Sequence, residues 1–145
     1  MSQQADPPPI SIPPPGPIRA AGGLLGVQAL GLVALAVATV VSGARNDAGI
    51  GEMLAQGGYF LVIAVFLLAI GAALNRGRRW GRTPAIVVQI IVVAVGFWLA
   101  FPSGQLPWGS ALVLLGIGVG YLLICPPATA WIESFPPLFG PDTDR

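Results

Sequence analysis

The sequence predicts an all-α membrane protein, a bundle of four transmembrane helices preceded by a disordered Pro-rich tail. Three observations carry that reading. Only 9% of the 145 residues are charged while 54% are hydrophobic, and the mean hydropathy is +0.79. A soluble domain typically carries about 25% charged residues. Four apolar stretches without a single charge follow one another along the chain. Finally, four of the seven basic residues fall in one central stretch, "NRGRRWGRTP", Asn75 to Pro84.

Residues 1–17, "MSQQADPPPISIPPPGP", are rich in proline and polar groups. Proline fixes φ and removes backbone donors, so this segment reads as a disordered or polyproline II tail with no apolar face to bury. It can act as a flexible spacer or dock on an aromatic groove of a partner, and its composition favours the spacer. It lacks the basic n-region of a signal peptide.

The spans are predicted at about 20–42, 54–74, 84–101 and 106–125. Roughly 20 apolar residues in a helix cross a hydrocarbon core of about 30 Å, so each run is long enough, the third being the shortest. Its β-branched run "AIVVQIIVVAV" would suggest a strand in water. In lipid a lone strand leaves its backbone groups unpaired, and the apolar residues do not alternate as in a barrel, so the helix is preferred. Pro126 and Pro127 end the fourth span, and residues 126–145 read as a cytoplasmic tail lying along the membrane surface.

The positive-inside tendency places Arg76, Arg78, Arg79 and Arg82 in the cytoplasm, and Arg19 before the first span agrees. Both termini are then cytoplasmic in a multi-pass protein of the plasma membrane. The same guanidinium groups suit anionic lipid headgroups, although setting topology accounts for them alone. Trp80 at this face and Trp98, Phe101 and Trp108 at the other fit the aromatic belts of a bilayer.

Histidine and lysine are absent and Cys125 is the one cysteine. That excludes imidazole-based triads, Schiff-base chemistry and an intramolecular disulfide, and no pattern suggests a metal or cofactor site. A net charge of +1 gives no reason to expect nucleic acid. Glu52 reads as a first-turn helix charge, Glu133 as a solvated one, and Cys125 as structural. Gln28 and Gln89 are the clearest intramembrane polar groups; they lie at similar depth, within reach of a mutual hydrogen bond. Gly22 with Gly26, and Gly116 with Gly120, have the four-residue spacing that lets helices approach closely.

With "GRRWGRTPAIVVQI" opening the third span, residues 20–125 resemble the small uncharacterised four-helix integral membrane proteins of actinobacteria. The resemblance implies a bacterial plasma membrane and no particular activity. In size the chain also resembles the small multidrug-resistance transporters, but their coupling glutamate lies within the first span, and here that span holds no acid. The expectation is a non-catalytic accessory or scaffold subunit of a membrane complex, with a membrane-protein partner or a homo-oligomer. The alternative is an oligomeric small transporter or channel.

Overall fold

The computed structural model describes residues 12–46 and 49–135. Among these, five α-helices run in order: α1 Gly16–Arg45, α2 Ile50–Asn75, α3 Arg82–Ala100, α4 Leu106–Ile124 and α5 Pro126–Glu133; a short 3-10 turn, Arg79–Gly81, leads into α3. The first four are long and apolar enough to cross a membrane. No strand occurs among the described residues.

Proline starts four of the five helices: Pro17, Pro84, Pro107 and Pro126 each sit in the first turn. There the missing N–H costs nothing and the fixed φ is already helical. Glycine ends α2: Gly77 takes φ 73°, its N–H donates to the Leu74 carbonyl, and the Arg78 N–H donates to Ala73. This satisfies the last carbonyls of the helix.

Helices α1 and α2 form one antiparallel hairpin, α3 and α4 a second, and these two seams are the most extensive in the fold. The first seam is built from small residues repeating every seven positions. In α1 they are Gly22, Ala29 and Ala36, and in α2 Gly57, Ala64 and Gly71; all six are buried. The register is antiparallel: a Cβ on Gly71 would lie 2.8 Å from the Gly22 carbonyl oxygen, and one on Gly57 would meet Val40 and the Ala36 carbonyl. In α4 the repeat is Gly109, Gly116 and Leu123, facing Gly96, Gln89 and Arg82 of α3 in turn. A Cβ on Gly96 would lie 2.9 Å from the Gly109 carbonyl oxygen and 2.9 Å from the Val113 nitrogen. A seven-residue repeat keeps two helices in contact along a gentle left-handed supercoil, and small residues bring their backbones close enough for dispersion to hold them.

Taking the arginine-rich turn as one end, the core that joins the hairpins is confined to that half. It contains Ile18, Leu25, Leu67, Ile70, Leu74, Ala85, Val119 and Leu123, together with Ala128 and Trp131 of α5. Toward the far end the buried residues are those of the two seams, such as Ala36, Gly57, Gly96 and Gly109. Large side chains including Val62, Ile90, Leu114 and Trp108 face outward. Continuous apolar exposure on this scale suits a lipid solvent and not water.

One expectation is corrected. Residues 12–17 are not a structureless tail: Pro15 is extended, Gly16 and Pro17 begin α1, and Ile12 packs against the core. Residues 1–11 lie outside the described residues, as do 136–145. Residues 126–133 form a helix whose Ala128 and Trp131 are buried against the bundle, so this part of the tail docks on protein.

Candidate functional site

The arginine end gathers the termini of α1–α4 with the strap Ile12–Pro15, the turn 76–81 and α5. Arg82 differs from its neighbours here. Its Nε donates to the Leu123 carbonyl at 2.8 Å and its Nη2 to the Thr129 hydroxyl at 3.3 Å. The reason lies in the α4–α5 junction. Pro126 and Pro127 have no N–H, so the carbonyls of Leu122 and Leu123 lose their helical partners. Cys125 Sγ serves the first at 3.2 Å, Arg82 the second, and the Thr129 hydroxyl donates to the next carbonyl, Ile124, at 3.0 Å. Cys125 itself is extended, with ψ 157°, as the residue before a proline prefers.

Of the four arginines expected to serve topology or anionic lipid, Arg82 is therefore bound to the protein. Arg76 and Arg78 are exposed, as is Trp80 between them and α3. Arg79 is half-buried and has a partner of its own. Arg19 is exposed at the same end.

Deeper in the bundle the structure brings Gln28 and Gln89 together. Each amide nitrogen donates to the other's oxygen at 3.2 Å, and Gln89 is only 2% exposed. The pair is reciprocal, so neither amide needs a further partner to be paired. Among the described residues no buried side-chain nitrogen or oxygen lacks a hydrogen bond.

The glycine expectations divide. Gly22 and Gly116 lie in seams: a Cβ on Gly22 would meet Asn75, and one on Gly116 would meet Val93 at 2.7 Å and the Gln89 carbonyl at 3.2 Å. Gly120 only touches Gln89, at 4.0 Å. Gly26 is not a packing residue, since a Cβ there would meet nothing within 4 Å. It lies four residues beyond Gly22, whereas the seam continues seven beyond, at Ala29. The seven-residue repeat of small residues was the signal that would have found Gly57, Gly71 and Gly109; Gly96 carries no such signal, since its register mates in α3 are Gln89 and Arg82.

Trp131 was also missed as a site residue. Its indole Nε1 donates to the Ile12 carbonyl at 3.2 Å, and its ring meets Phe135 edge-on with centroids 5.2 Å apart. Gly77 lies against the same strap, because a Cβ there would collide with the Ile12 carbonyl. Three segments remote in sequence thus meet at one point.

At the far end a groove of about 400 Å³ lies between α1 and α2, lined by Thr39, Ser42, Asn46, Glu52 and Gln56 among others. Its side chains are engaged locally: Thr39 donates to Leu35, Asn46 to Ser42, and Gln56 to the Glu52 carboxylate. Glu52 stands in the first turn of α2, where the dipole favours it. No cluster of His, Cys, Asp or Glu that could hold a metal ion occurs among the described residues.

The fold and these sites define a small all-helical protein whose four long helices have the length and apolarity to cross a membrane. No family model, no curated protein and no solved structure matches the chain.

Proposed function

We propose that the protein is a multi-pass plasma-membrane protein with both termini and the arginine turn in the cytoplasm. In this reading it serves as a non-catalytic accessory or scaffold subunit of a membrane complex. One observation carries the second part: each hairpin is sealed along its own seam, yet the core joining the hairpins stops in the arginine half. The far halves consequently offer two apolar flanks on which a partner's helices, or those of a second copy, can pack. The reciprocal Gln28–Gln89 pair favours this over a transport path, because these amides serve each other. Arg76 and Arg78, exposed beside Trp80, suit contact with anionic headgroups at the cytoplasmic face.

Photo-cross-linking amino acids placed at Val62 and Val95, both exposed in the far half, test the scaffold reading in native membranes. A discrete protein adduct is expected, either with another membrane protein or with a second copy. Adducts to lipid alone at both positions would overturn it. Reporter fusions test the orientation independently: Gly104 should face outward, and Gly77 and the C-terminus inward. An outward Gly77 reporter would reverse the topology.

A further inference from the structure

We infer that Trp131 on α5 and the Gly77 turn form a receptor for an extended, proline-rich peptide segment, filled in cis by the chain's own strap, Ile12–Pro15. The inference needs only the contacts at the arginine end and does not depend on the scaffold reading.

Three consecutive prolines, Pro13–Pro15, have no N–H, so the strap cannot be held by strand addition. A partner can grip it only by donating to its carbonyls and by enclosing its apolar side chains. Both are present. Pro15 has φ −67° and ψ 163°, the polyproline II region, and its own carbonyl accepts from the Arg19 N–H at 3.1 Å as α1 begins, so the carbonyl offered outside α1 is that of Ile12. The Trp131 indole, which can only donate, reaches the Ile12 carbonyl at 3.2 Å. The Ile12 side chain packs against the buried core. Gly77, buried and lacking a Cβ, forms the floor on which that carbonyl rests. Phe135, edge-on to Trp131, holds the indole plane and is itself buried.

An aromatic donor beside an apolar socket is how polyproline segments are recognised in general. Here the donor, the floor and the ligand come from three separate parts of the chain, so the strap is a ligand held by a tether. The tether runs only from Ile12 to Gly16, where α1 begins. A short tether gives an effective concentration of roughly millimolar or more. A Pro-rich segment in trans therefore competes poorly until the strap is loosened.

The test uses the full-length chain in detergent and a fluorescein-labelled peptide of residues 6–17, read by fluorescence anisotropy. Wild-type protein should bind the peptide weakly. Ile12→Asp, which spoils the strap's apolar plug, should tighten peptide binding about tenfold or more by freeing the receptor. Adding Trp131→Phe to Ile12→Asp keeps a ring but removes the N–H, and should reverse most of that gain. A peptide carrying the same Ile→Asp change should bind neither protein. If Ile12→Asp does not give a monodisperse protein, Ile12→Ala takes its place with the same outcomes. Hydrogen exchange of the Trp131 indole gives a second readout, slow in the wild type and fast in the Ile12 variant. Equal peptide binding by wild type and variant, or no effect of Trp131→Phe, would show that the strap is a structural plug and that no receptor exists.

Discussion

Arg82, at the start of α3, completes the end of α4: its Nε bonds the carbonyl of Leu123, which Pro127 has left without a helical donor. An arginine that the sequence groups with its neighbours thus belongs to the interior bonding of the fold.

Substitution should separate it from them. Arg82→Gln leaves the Leu123 carbonyl without its charged donor, a loss of about 1–3 kcal/mol. Arg82→Lys should recover only part, since one ammonium cannot reproduce a fork that reaches both Leu123 and Thr129. Arg76→Gln, at an exposed position, should stay within about 0.5 kcal/mol. Thermal or denaturant unfolding in detergent measures all three. Equal losses for Arg76→Gln and Arg82→Gln would contradict this assignment.

The Gln28–Gln89 pair should behave as a coupled unit. Gln28→Leu strands a 2%-exposed Gln89 amide, whereas the double change to leucine removes both polar groups. A double-mutant cycle is expected to give a coupling of about 0.6 kcal/mol, the average for interhelical hydrogen bonds in membranes, and no more than about 1.7. Additive losses would mean that the pair contributes nothing as a pair.

Seam glycines should be distinguishable from surface glycines. Gly96→Ala and Gly109→Ala push a methyl into backbone atoms of the facing helix, and each should cost about 1–3 kcal/mol by overpacking. Gly26→Ala and Gly118→Ala meet nothing within 4 Å and should be neutral or slightly stabilising. Tolerance of alanine at Gly109 in an unfolding assay would be incompatible with the seam described here.

Gly77 and Gly104 form a matched pair, with φ 73° and φ 68°. Alanine at either meets the left-handed penalty of about 1–2 kcal/mol. Only at Gly77 does the new Cβ also strike the Ile12 carbonyl, whereas at Gly104 it enters open space. Gly77→Ala should therefore be the more destabilising, and it alone should make the N-terminal segment more sensitive to added protease. An identical protease pattern for the two variants would argue against the strap contact.

The four long helices were legible because each is an uncharged apolar run of membrane-spanning length, a property of composition that needs no knowledge of packing. Their ends were less so. Helix α1 starts at Gly16 and not at 20, and α2 starts at Ile50 and not at 54, because helical geometry continues past Arg19 and Glu52, where hydropathy falls. Four-residue glycine spacing led to Gly26, while the α1–α2 seam follows a seven-residue repeat of small residues that was equally present in the sequence. The role of Arg82 was not legible, since its partner lies 41 residues away and is a backbone carbonyl without sequence identity. The docking of α5 depends likewise on Trp131 finding Ile12.

Those last two residues stand 119 positions apart. At synthesis rates of about 5–20 residues per second, Ile12 waits roughly ten seconds for the indole that secures it. Every earlier helix can be in place while the first segment still hangs loose. A molecule that lacks Trp131 has no indole to hold the Ile12 carbonyl. The contact makes the holding of Ile12–Pro15 conditional on a residue synthesised long after it.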